Sequence, residues 1–67
     1  MKIIHNPDQN EMVLTPMAAL IFTGLLEYHG ADFDIVDNDQ RDDLIDIPLL
    51  TIKFKSASDY MIGLMLI

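Results

Sequence analysis

The 67-residue chain has room for one domain, 1–67, and a chain this short buries only about 60% of its unfolded surface, so its core has little to spare. It holds no cysteine, which excludes disulfides, thiolate zinc sites and thiol chemistry, and it is 51% hydrophobic, which argues against disorder. A net charge of −7 disfavours direct contact with nucleic acid or anionic membrane, both of which select lysine and arginine, and leaves proteins as the expected partners.

In chain order, the short apolar run "KIIH" predicts a first strand over Lys2–His5. The turn formers "NPDQNE" end it and open a loop that runs from Asn6 to Leu14. Thr15-Pro16 is a helix start, because the hydroxyl can accept from an orphan N–H and proline suits the first helical position. That helix is expected from Pro16 to about His29, with Gly30 as its stop. Its residues Met17, Ala18, Ala19, Leu20, Ile21, Phe22, Leu25, Leu26 and Tyr28 leave almost no polar side, which places it in a core or an interface.

The apolar stretch Met12–Leu26 is interrupted by Thr15, Pro16, Thr23 and Gly24, and is shorter than the about 20 residues that a membrane helix needs. A secretory leader is not expected either, since Lys2 is offset by Asp8 and Glu11 and no small-residue cleavage site precedes Glu27. A cytoplasmic protein is the expectation.

Alternation of Phe33 and Ile35 with Asp32 and Asp34 predicts a strand with one wet face. "DNDQRDD", from Asp37 to Asp43, is expected to be a solvated loop or one short helix ending near Leu44-Ile45. It lacks the sixth-position glycine and twelfth-position glutamate of a calcium loop, and Arg41 intrudes. Leu50, Ile52 and Phe54 alternate with Thr51, Lys53 and Lys55, a third strand with Pro48 at its mouth, where the missing N–H is tolerated. After the turn "KSAS", residues 59–67 form a fourth strand or a final helix, with Gly63 favouring strand. The order β-α-β then β-β makes one α/β sheet with a parallel pair and a closing antiparallel pair.

"GLLEYHG" followed by "GADFDIVDND" resembles the helix–strand junction of glutaredoxins, and "DIPLLTI" resembles the segment in which a cis-proline opens the third strand of the thioredoxin fold. The resemblance covers Lys2 to about Gly63 and implies a small thioredoxin-like β-α-β-β-β sheet with one main helix and no closing helix. It places "TPMA" where the family carries Cys-Pro-x-Cys, with Thr15 and Ala18 at the two cysteine positions, so dithiol exchange has no thiolate to use. The family's Gly-Gly-Asp has no counterpart in "MIGLMLI", which removes a glutathione contact. It further implies a cis Ile47–Pro48 bond whose backbone could pair with a bound peptide as an added strand.

His5 and His29 show no ligand spacing and read as surface or capping residues, and Thr15 could act as a nucleophile only with His5 as its base. No enzyme, metal or cofactor is expected. The leading functional expectation is a noncatalytic, glutaredoxin-like protein-binding module that modulates or inhibits a partner, in the style of a phage product aimed at a host factor. Its binding residues would be Thr15, Pro16, Met17, Ile47, Pro48, Tyr60, Ile62, Met65 and Ile67. Apolar residues on both sides of segment 60–67 further predict a homo-oligomer, because an uncovered apolar edge recruits a second chain. The alternative is an acidic mimic of nucleic acid, built from Asp32, Asp34, Asp37, Asp39, Asp42, Asp43 and Asp46.

Overall fold

The computed structural model describes the backbone of residues 3–42 and 47–67 and the side chains of 3–37 and 48–67. Strand β1 (Ile3–Asn6) turns through a 3-10 segment (Pro7–Gln9) into β2 (Glu11–Leu14), followed by helix α1 (Pro16–Tyr28), strands β3 (Phe33–Asp42) and β4 (Ile47–Phe54), and helix α2 (Ala57–Met65). The four strands form one sheet in the order β1-β2-β4-β3, and every neighbouring pair is antiparallel. The fold is a small α/β domain with a four-stranded antiparallel sheet and two helices.

Both β2 and β3 run antiparallel to β4, so they are parallel to each other with β4 between them. The strands expected to form a parallel pair across the helix, β1 and β3, run antiparallel to each other; the strand that precedes α1 is β2, and β2-α1-β3 is a split β-α-β unit. The Asn6–Leu14 segment, expected to be loop, contains the tight β1–β2 turn instead. Asn10 closes it at φ 54°, a left-handed conformation that asparagine tolerates, and its N–H donates to the Pro7 carbonyl. Residues 37–42, expected to be a loop or one short helix, continue β3 with an irregularity between Asp37 and Arg41.

Pairing assigns the faces. Met12, Leu14, Ile52 and Phe54 turn toward the helices and pack with Ala18, Ala19, Phe22, Leu26, Ala31 and Tyr60 in one core. On the opposite face Val13, Leu49 and Thr51 are also buried, so the central strands bury side chains on both sides. That explains why "MVL" in β2 does not alternate: a strand covered on both faces reads as a continuous apolar run.

Pro48 is the second residue of β4 and pairs only with Arg41, because the β2 ladder stops at Leu14 opposite Leu50. A proline costs least where one side of its strand has no ladder to feed. No cis peptide bond occurs among the described residues, so the expected cis Ile47–Pro48 bond is absent.

Residues 57–65 are helical, which corrects both the expected fourth strand and the expected lack of a closing helix. The Ser56 Oγ accepts from the Asp59 N–H at 3.2 Å and donates to Asp59 Oδ2 at 2.7 Å, a reciprocal cap, while Asp59 Oδ1 accepts from the Asp32 N–H at 3.1 Å. The Ser56 hydroxyl first, and the Asp32 N–H second, hold the Asp59 carboxyl below its ordinary range. With the folded value depressed, the stabilisation is present above the unfolded carboxylate range and is lost as pH falls through the folded value. Urea midpoints should therefore fall with acidification below about pH 4, and fall less in Asp59→Asn than in the wild type; equal slopes would show that this cap carries none of the acid sensitivity.

Candidate protein-binding surface

Helix α1 starts as the sequence predicts. Thr15 is extended at φ −69°, ψ 157°, its hydroxyl accepts from the Ala18 N–H at 3.4 Å, and Pro16 fills the first helical position. At the other end Gly30 takes φ 78°, with the Ala31 N–H donating to the Leu26 carbonyl and the Gly30 N–H to that of Glu27, the paired bonds of a glycine-terminated helix.

One side of α1 is spent on the core: Ala18, Ala19, Phe22 and Leu26 are buried. The opposite side is apolar too. Met17 is 76% exposed, Leu20 77%, Ile21 60%, Leu25 41% and Tyr28 84%. At 100° per residue, Gly24 falls at the centre of this outward face, diametrically opposite the core side, and a Cβ built on it would meet nothing within 4 Å. Glu27 is the only charged residue in the helix. Five large apolar residues exposed on one side of a single helix are more than the scattered single apolar residues that a monomer's surface normally shows. A solvent-facing helix is normally polar on that side.

Helix α2 repeats the arrangement on a smaller scale. Tyr60 and Gly63 face the core, and a Cβ at Gly63 would lie 2.8 Å from Phe54 Cζ and 3.2 Å from Met12 Cε. Met61, Leu64, Met65 and Ile67 are exposed.

The expected binding residues separate into three groups. Met17, Met65 and Ile67 are exposed, as a contact surface requires, and Pro16 and Pro48 are exposed beside helix and strand starts. Thr15 is engaged as a cap. Tyr60 is a core residue, edge-on to Phe54 at 5.5 Å between ring centroids and hydrogen-bonded through its hydroxyl to His5 Nδ1 at 3.2 Å, and Ile62 packs half-buried against the same core. The Ile47 side chain lies outside the described residues. Leu20, Ile21, Leu25 and Tyr28, which carry most of the exposed surface, were visible in the sequence only as part of a helix apolar all round.

No family model, curated protein or solved structure matches this chain.

Other chemistry finds little to work with. Among the described residues no group of three histidine, cysteine or acidic side chains is placed to hold a metal ion. His5 is engaged with Tyr60 and Thr15 with its own helix, so the two do not form the nucleophile–base pair considered above. A shallow hollow lined by Asn6, Pro7, Asp8 and Gln9 is formed by the β1–β2 turn and holds no nucleophile or base beyond the exposed Asp8. No described helix is long and apolar enough to cross a membrane.

The acidic residues that are described do not form one row. Asp34 lies on the face away from the helices, opposite Lys53, and pairs with Lys55 at 2.8 Å, which raises the Lys55 pKa chiefly through that hydrogen bond. Asp37, opposite Leu50, lies on the other face. The side chains of Asp39, Asp42, Asp43 and Asp46 lie outside the described residues.

Proposed function

We propose that this chain is a noncatalytic protein-binding module that modulates a partner protein through the outward apolar faces of its helices, chiefly α1. The observation that carries the reading is the run of exposed Met17, Leu20, Ile21, Leu25 and Tyr28 on a helix whose other side already fills the core. Fully burying one large apolar side chain is worth about 1.5–3 kcal/mol, so covering several of them is a sufficient driving force for association. The resemblance to glutaredoxins contributes the strand–helix–strand order and the placing of Thr15 at the helix start; with no thiolate there, that position supplies no exchange chemistry. The split β-α-β order and the trans Ile47–Pro48 bond lend the resemblance no further support. Mimicry of nucleic acid is less well supported, since Asp34 is paired with Lys55 and Asp37 lies on the opposite face.

Site-specific photocross-linking in the native cell tests the reading. A photoreactive residue at Leu20 should give protein adducts, and one at Lys53, on the far face of the sheet, should give none. No adduct of any size from Leu20, or equal labelling from both positions, would overturn it.

A further inference from the structure

We infer that α1 pairs with α1 of a second copy of this chain, antiparallel, about a two-fold axis that passes at Gly24. The inference rests on the protein-binding reading above and names the partner. Three observations carry it.

The first is shape. The exposed residues form two ridges at four-residue spacing, Met17-Ile21-Leu25 and Leu20-Gly24-Tyr28, and the second ridge has a notch at its middle. Ridges of this spacing interlock at about 50° between helix axes, and the closest approach, near 8 Å, needs a small residue at the crossing. With Gly24 on the axis, the residue four before it meets the residue four after it in the other copy, so Leu20 of each chain packs against Tyr28 of the other. The fold itself gives no reason for this glycine, since its Cβ position is open to solvent and glycine in a helix interior costs about 1 kcal/mol relative to alanine.

The second is area. Five large apolar residues, each 41–84% exposed in the free chain, supply the apolar centre that an interface of ~800 Å² per partner needs. The third is charge. The chain carries −7, yet the outward face of α1 holds only Glu27, at its margin, so two copies can meet there without opposing charged clusters. A two-fold pair is also the commonest closed way to satisfy a self-complementary patch.

Sedimentation velocity on the purified chain, with three variants, tests the proposal. The wild type should be a dimer at micromolar concentration. Leu20→Glu should weaken the dimer by more than about tenfold while its circular dichroism spectrum stays folded, and Lys53→Gln, on the far face of the sheet, should leave it unchanged. Because the chain has no cysteine, Gly24→Cys introduces a single thiol, which should oxidise to an inter-copy disulfide as the larger residue moves the axes to about 9–10 Å, where Cα atoms about 2.3 Å from each axis come within the about 4.4–6.8 Å that such a bond needs. A wild type that stays monomeric, a dimer undiminished by Leu20→Glu, or one abolished by Lys53→Gln would overturn the pairing. A monomeric wild type whose Leu20 still cross-links to other proteins in the cell would reject the second copy as the partner and leave the protein-binding reading standing.

Discussion

Phe22→Ala should leave the chain largely unfolded at 25 °C, while Leu20→Ala, two residues away on the same helix, should leave monomer stability within about 0.5 kcal/mol of the wild type. Phe22 is 1% exposed and is the largest of the fully buried side chains, lying in the core that joins α1 to β2 and β4. Truncating a buried phenylalanine to alanine costs about 3–5 kcal/mol, through lost transfer free energy and the cavity left behind. At roughly 0.05–0.15 kcal/mol per residue, the whole stability of so short a chain is of similar size. Chemical denaturation followed by circular dichroism, at concentrations low enough to keep the chain monomeric, reads both variants. Similar midpoints for the two would mean that α1 is docked on its other side.

Gly63→Val should lower the melting temperature by about 4–24 °C. The first added carbon already comes within 2.8 Å of Phe54 Cζ and 3.2 Å of Met12 Cε, and valine brings two methyl groups beyond it. Phe54 is buried and edge-on to Tyr60, so its ring cannot move without disturbing the contact that anchors α2. Overpacking of this kind costs about 1–3 kcal/mol, and each kcal/mol shifts the melting temperature of a 60–100-residue domain by about 4–8 °C. An unchanged melting temperature would show that α2 sits farther from the sheet than described.

Helix α1 was legible because its signals are local. Thr15-Pro16 at one end and Gly30 at the other act through hydrogen bonds within a few residues, and Tyr28 ends the helix within one residue of expectation. Strand β2 was not, because Met12, Val13 and Leu14 are all buried and show no period of two, so they merged with the apolar helix that follows. Helix α2 was misjudged through Gly63, taken as a strand signal; the glycine is there because the Phe54 ring occupies the space of its Cβ, a tertiary cause that no local pattern reveals. The local helix signal is Ser56-x-x-Asp59, in which the serine hydroxyl accepts from the Asp59 N–H and donates to its carboxylate. For the surface, the all-round apolar character of α1 was plain, but which half of it fills the core depends on how the helix docks, and only the packing of Phe22 and Leu26 decides that.

The position of β4 between β2 and β3 bears on how the chain assembles. The β1–β2 and β3–β4 pairings join neighbours in sequence, whereas the seam from Glu11–Leu14 to Leu50–Lys53 joins strands separated in sequence by α1 and β3. Loop-closure entropy for the whole domain thus falls on one four-residue ladder. Should that ladder open, β2 and β4 would each expose an unpaired edge flanked by apolar side chains, an arrangement open to strand exchange between molecules. Aggregation of this chain would accordingly begin at the middle of its sheet, with the outer hairpins still intact.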